Sequence, residues 1–310
     1  MRTSVWVLPD DPQSLGAMEQ NAGRVDEVNP VFFNVAADGS LIAHDAANDD
    51  RWRQAMRGMH FVPAIQNQVG EEFSASGITA ILSDDDARQH HIDQIVATAR
   101  EYDYDGVEID YESLPPIRDD FTSFVTALAA RLHAEHRVLY VDVDAETSDS
   151  GDVFDWPALG AVTDQIKIMA YDRHHADSGP GAIAPLGWIE RVAQYADATL
   201  PAGKVVFALP WYGYDWSDSG PTVDVGYSDA IRRAAAEGAK IERDNNGELT
   251  FAYRGHRVYF QDAQSFAAKV AVLARHASVR GIAAWRAGVE DPEMWSVMFG
   301  LRMKHRAAGR

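Results

Sequence analysis

The chain has no cysteine, so disulfides and thiolate metal sites are excluded outright. It has no run of eighteen apolar residues, so no membrane-spanning helix is expected. It is poor in positive charge: 28 Lys and Arg stand against 47 Asp and Glu, a net charge of −19. Such a field repels phosphate backbones and makes nucleic acid a poor partner, while leaving room for a carboxylate-rich binding cleft on a well-solvated surface. Tandem repeats, low-complexity tracts and interdomain linkers are also missing, so residues 1–310 read as one domain and a monomer is expected. No phosphate-binding loop, dinucleotide fingerprint or Gly-x-Ser-x-Gly elbow occurs, so no cofactor is expected. His174 and His175 invite a metal reading, but adjacent residues of an extended segment point apart and no partners stand at ligand spacing. His90 and His91 read as helix surface. The apolar stretch Val5–Leu8 is too short for a signal-peptide core and is followed by Asp10 and Asp11. The chain is therefore either cytoplasmic or has lost an export signal.

What is present is an alternation of short β-rich runs and amphipathic helical stretches, which calls for a parallel sheet with helical crossovers. Eight strands are predicted: Ser4–Leu8, Asn29–Val35, His60–Ile65, Gly106–Tyr111, Val138–Asp144, Gln165–Ala170, Val205–Leu209 and Gly281–Trp285. Eight is the number that closes a (β/α)8 TIM barrel. Helices are predicted over Asp84–Glu101, along the Phe121, Val125, Leu128, Leu132 stripe, and over Leu186–Ala196 and Ala263–His276. Between strands seven and eight the rhythm breaks. A helix (Ser228–Glu237) and short strands around the Asn246-Gly247 turn signal predict a small α+β insertion over residues 211–262.

The chemistry concentrates in Asp105-Gly106-Val107-Glu108-Ile109-Asp110-Tyr111-Glu112. Side chains of a strand alternate between faces, so Glu108, Asp110 and Glu112 share one face and Val107, Ile109 and Tyr111 the other. Carboxylates aimed into a barrel are costly unless they share protons or reach a polar pocket. Glu112 falls at the C-terminal strand end, where barrel active sites lie. The competing reading is an edge strand with a solvated acidic face.

This segment resembles the Asp-Gly-x-Asp-x-Asp-x-Glu signature of glycoside hydrolase family 18, the chitinase-like family. The match is at Asp105, Gly106, Asp110 and Glu112, with Glu108 standing where the family usually has Asp or Asn. Met169-Ala170-Tyr171-Asp172, Pro210-Trp211-Tyr212-Gly213-Tyr214 and Trp285 extend the likeness over nearly the whole chain. Asp26–Phe33 and Gly281–Trp295 are similar to bacterial members related to spore and cell-wall lytic enzymes.

The resemblance implies a retaining hydrolase of β-linked N-acetylglucosamine glycans (chitin, peptidoglycan or N-glycan type) that uses the substrate's own acetamide as nucleophile. In that scheme Glu112 is the general acid and base, Asp110 accepts from the acetamide N–H, and Tyr171 donates to the acetamide oxygen. Glu108, Met169, Asp172, Trp211, Tyr212 and Trp285 line or support the substrate site. Glu108 would pair with Asp110, its extra methylene straining a crowded core. The resemblance also favours a secreted or cell-envelope location. The alternative is a non-catalytic sugar-binding protein on the same fold. Such relatives usually lose the acid that Glu112 supplies.

Overall fold

In a computed structural model, which describes residues 1–70 and 72–308, eight parallel strands close into a barrel. They are Arg2–Val7, Glu27–Val35, Ala64–Gln66, Gly106–Asp110, Val138–Asp144, Gln165–Met169, Val205–Pro210 and Val279–Trp285, strands one to eight in chain order. Each pairs with its successor, and strand eight pairs with strand one, Gly281 opposite Arg2, so the barrel has no free edge. Strand four is enclosed by strands three and five, with Ile109 opposite Ile65 and Glu108 opposite Tyr140. The edge-strand reading of the acidic segment is thereby excluded.

Alternation separates two cores. Val107, Ile109 and Tyr111, with Val141, Ile166, Phe207 and Ile282, face outward into the large apolar shell beneath the helices. The lumen has a smaller apolar group of Trp6, Val31, Ala64, Val206, Ala208 and Ala283. The rest of the lumen is polar and fully enclosed: Glu27, Glu108, Tyr140, Asp142 and Lys167 are all 3% exposed or less. Gly106 is required by a close approach, because a Cβ there would collide with the Val138 carbonyl of strand five.

Two sequence expectations are corrected here. The run His60–Ile65 is not one strand: His60–Phe61 and Ala64–Gln66 are separate, with Val62 and Pro63 between them. Pro63 has no N–H to give to a ladder, although its carbonyl accepts from Glu108 N at 2.9 Å. His91 is not on the surface of its helix, Asp85–Glu101, but fully buried. Its Nδ1 meets the Gly39 carbonyl and its Nε2 the Tyr111 hydroxyl, each at 2.6 Å. Burial lowers the imidazole to about 4, so the ring is neutral. The helix around it begins as expected, with Asp84 capping the Ala87 amide at 2.9 Å. The predicted stripe Phe121, Val125, Leu128, Leu132 is wholly buried in helix Arg118–His133.

After strand seven the chain builds a separate five-stranded antiparallel sheet. Its order is Val223–Val225, Gly213–Ser217, His256–Phe260, Leu249–Tyr253, Glu242–Arg243. Helix Tyr227–Glu237 covers one face through Ala230, Ala234, Phe251 and Val258. The other face carries Tyr214 and Trp216, packed with Tyr212 and Ile183 and against Tyr171 and Trp285 of the barrel. Gly247 takes φ +88° in the turn beside Glu248. The buried Glu248 carboxylate then accepts from the Ile183 and Ala184 amides, both at 2.8 Å, and lies 3.1 Å from Lys269 Nζ. This buried ion pair fastens the sheet to the loop after strand six and to helix Ala263–Leu273.

Gly106→Ala is expected to destabilise the protein by about 3 kcal/mol or more, because backbone lies where the methyl must go. Urea unfolding measures this; a loss under about 1 kcal/mol would mean that strands four and five can separate without cost.

Candidate active site

Strand four ends by delivering Glu112 to the C-terminal mouth of the barrel, where three contacts fix it. The side-chain amide of Asn67 holds both backbone groups of Glu112, accepting from its N–H at 2.9 Å and donating to its carbonyl at 3.0 Å. Tyr111, one residue back, is anchored on the outer side by His91. Ser113, one residue on, takes φ +59°, and Asp172 after strand six takes φ +56°. Non-glycine residues held in the left-handed region cluster at functional sites.

Two lobes of one cleft meet at Glu112. One, of about 320 Å³, is lined by Glu112, Asp144, Met169, Tyr171, Asp172, Arg173 and Trp188. The other, of about 480 Å³, shares Glu112, Tyr171 and Asp172 and adds Gln66, Phe73, Tyr212, Tyr214, Asp224, Trp285 and Arg286. A larger hollow of about 720 Å³ lies between Gln13–Arg24 and Gly288–Ser296 and contains none of the strand-four carboxylates. Trp285 forms part of the cleft wall over the lumen, its ring edge-on to Trp6 at 5.7 Å between centroids. Tyr171 stands edge-on to Tyr212 at 6.1 Å.

The charge states follow from enclosure. Burial, reinforced by Asp110, Asp144 and Asp172, pushes the Glu112 carboxyl up to about 9, so it carries a proton at neutral pH. Burial also raises Asp110, to about 7; Glu108 adds to the rise, while the hydrogen bond from Gln66 and the charge of Lys167 oppose it. Asp110 Oδ2 accepts from Gln66 Nε2 at 2.7 Å, and its Oδ1 has no protein partner. A proton donor thus stands two residues from a carboxyl raised to about 7; Glu112 lines the cleft, whereas Asp110, 3% exposed, is not among the residues that line it.

The other candidates divide. Met169 and Trp285 line the cleft. Asp172 lines it too, but its carboxylate accepts from the Tyr212 hydroxyl and from Tyr214 at 3.1 Å. It therefore orients two tyrosines as well as facing the cavity. Two candidates are corrected. Glu108 is fully buried and does not reach the cleft; Trp6 Nε1 and Lys167 Nζ both donate to it. Its carboxylate is met there by Lys167 of strand six. Trp211 is also fully buried: alternation along strand seven turns it outward, against Trp295 at 5.0 Å and Phe266 at 5.9 Å. It packs helices and touches no cleft. His174 and His175 bond within their own loop, and among the described residues no group of His, Asp and Glu is arranged for a metal.

Sequence reasoning missed Asn67, Gln66, Asp142, Asp144, Lys167 and Trp188. Gln66, Asn67 and Asp144 stand at the C-terminal ends of strands three and five, and the rule that singled out Tyr171 applied to them equally. Lys167 lies two residues before Met169 and two after Gln165 on the same face, the one cation of its strand.

A closed barrel with a proton-bearing carboxyl at its C-terminal mouth, a second carboxyl behind it and an aromatic wall is the architecture of a glycoside hydrolase. The model of Glycosyl hydrolases family 18 matches residues 10–290, and the chain belongs to that family. It is 30% identical over 302 residues to a candidate sporulation-specific glycosylase, YdhD, of Bacillus subtilis, covering 91% of this chain and 70% of that one. It is 26% identical to the cortical fragment-lytic enzyme of the same organism, covering 86% of this chain and 65% of the relative. Among solved structures, a chitinase from Chromobacterium violaceum superposes with a TM-score of 0.86 at 25% identity, over 96% of this chain and 97% of that one.

Trp211→Ala is expected to cost about 3–5 kcal/mol of stability without changing KM in the fraction that remains folded. Trp285→Ala should instead weaken glycan binding with a smaller loss of stability. Urea unfolding and steady-state kinetics on both variants separate the roles; a raised KM in Trp211→Ala would return that residue to the cleft.

Proposed function

We propose that the protein hydrolyses β-linked N-acetylglucosamine-containing glycans with retention of configuration, the substrate's acetamide acting as nucleophile. The observation that carries this reading is a proton-bearing Glu112 in the cleft and, two residues behind it, Asp110 with one buried oxygen that has no partner. An acetamide N–H on a sugar bound over Trp285 supplies the donor that this oxygen lacks. The names of the relatives, which include a cortical fragment-lytic enzyme and chitinases, agree with such a substrate.

In the first step the acetamide oxygen attacks the anomeric carbon while Glu112 gives its proton to the departing glycosidic oxygen. The C–O bond to the leaving sugar breaks and an oxazolinium ring forms. Asp110, as carboxylate, accepts from the acetamide N–H and offsets the positive charge of that ring. The Tyr171 hydroxyl donates to the acetamide oxygen and aims it. In the second step Glu112, now ionised, takes a proton from water, whose oxygen attacks the anomeric carbon from the side the leaving group vacated. The ring opens, the acetamide is restored, and two inversions give net retention. Two cleft lobes meeting at Glu112 leave room for sugar on both sides of the scissile bond. The whole chain acts as one catalytic unit and as a monomer, the five-stranded sheet contributing a wall of its cleft. The site of action is the cell envelope or beyond.

Glu112→Gln should lower kcat/KM on chitin oligosaccharides by about 10²–10⁴-fold while oligosaccharide affinity stays within a few-fold. A thiazoline mimic of the bicyclic intermediate should inhibit competitively. Turnover at the wild-type rate in Glu112→Gln, or an active enzyme indifferent to the thiazoline, would contradict the mechanism.

The pH dependence has a definite sign. Below about 7 Asp110 takes up a proton and loses its accepting role; above about 9 Glu112 has no proton to give. A bell between these limbs is expected in kcat/KM, the two values belonging to the coupled pair. A profile still rising above pH 10 would contradict Glu112 as the acid.

A further inference from the structure

We propose that Lys167 is a positioning residue for catalysis: its ammonium group pairs with Glu108 across the lumen and favours the anion there, so that Glu108 competes less well for the proton of Asp110. This rests on the substrate-assisted reading above and concerns what sets the charge of its acetamide acceptor.

Both oxygens of Glu108 are occupied. Oε1 accepts from Trp6 Nε1 and Oε2 from Lys167 Nζ, in a part of the lumen that solvent does not reach. Lys167 is caught between two carboxylates and two rings: Glu27 Oε1 lies at 3.4 Å, the Trp6 ring at 4.6 Å and the Tyr140 ring at 5.4 Å. Glu27 is itself held by the Tyr140 hydroxyl at 3.0 Å, Gln165 Nε2 at 3.3 Å and His60 at 3.7 Å. An ammonium so enclosed stays charged because each neighbour favours the cation.

Asp142, opposite Lys167 in the register of strands five and six, completes the arrangement. Neither of its oxygens is exposed and neither has a donor. A buried carboxyl without a donor keeps its proton, and its O–H then serves the neighbouring Glu108 carboxylate. Glu108 thus has an indole N–H and an ammonium as partners and the Asp142 acid as a neighbour; burial pushes its carboxyl up, and Lys167 pulls it back toward the anion. Asp110 is left with Gln66 on one oxygen and, on the other, no partner in the protein. Glu108, one methylene longer than the acid usual in the family, meets the lysine of strand six.

The charged and titratable groups that face Asp110 are Glu108 and Glu112 of its own strand segment, Asp142 and Asp144 of strand five, and Lys167 and Tyr171 of strand six. Behind them stand Glu27 and His60. The charge of Lys167 favours the carboxylate form of Asp110, and removing it makes that form harder to reach.

The test is the pH profile of kcat/KM on chitin oligosaccharides, with melting temperature, for the wild type, Lys167→Met, Glu108→Gln and the double variant. Lys167→Met should move the acidic limb up by about one pH unit or more, and Glu108→Gln should move it down. The double variant should fall between them. Both single variants should melt lower, since each strands a buried partner. Opposite movements of the limb alongside a common loss of stability are not what a purely structural role would produce. Limbs that stay in place, or move together, overturn the inference. If Lys167→Met fails to fold, Glu108→Gln and the double variant carry the test: the limb must fall in the first and rise again in the second. Glu112→Gln, run in parallel, keeps the two failures apart. Full activity there would remove the substrate-assisted reading, whereas an inactive Glu112→Gln with unmoved limbs would remove only the role of Lys167.

Discussion

A carboxylate enclosed by a barrel wall must be given a proton, a cation or a cluster of donors, and the lumen of this protein does all three within one network. Lys167 supplies the cation, shared between Glu27 and Glu108. Trp6, Tyr140 and Gln165 supply donors. Asp142 keeps a proton. The balance leaves Asp110 with one unpaired oxygen and Glu112 with a proton at the mouth of the cleft. The catalytic reading follows from that unequal settlement among acids of adjacent strands. Lys167 occupies one oxygen of the motif's first acid, while the second keeps an oxygen without a partner and burial raises the third.

Rigidity is needed for such a settlement to hold, and it comes from outside the lumen. Asn67 grips both backbone groups of Glu112, and His91 holds Tyr111 from the helix side. The residues that follow strands four and six are bent into the left-handed region at Ser113 and Asp172. The five-stranded sheet is tied down by Glu248 and presents Tyr214 to Asp172. These contacts let a wall built partly from an insertion keep its place beside a barrel rim.

Much of this was legible in the residues. Alternation alone put Glu108, Asp110 and Glu112 on one face, and the same rule, applied to strand five, would have exposed Asp142 and Asp144. The stripe through Phe121, Val125, Leu128 and Leu132 announced its helix because its large apolar residues recur at helical spacing. What stayed hidden depends on partners distant in sequence. Trp211 reads as a sugar platform until strand seven's alternation turns it against Trp295. His91 reads as surface until Gly39 and Tyr111 close on it. Glu108 reads as an oversized acid until Lys167, 59 residues on, is seen across the lumen. Strand three looked continuous because Pro63 interrupts a ladder and not a hydrophobic pattern.

The central claim is that the leaving sugar is displaced in two inversions, first by the substrate's acetamide and then by water, and not in one step by a directly attacking water. Proton NMR of a chitin oligosaccharide during its first minutes of hydrolysis reads the anomer at the new reducing end before it equilibrates. The account predicts that the β anomer appears first and relaxes toward the α form. Initial release of the α anomer would mean a single inversion and would contradict it.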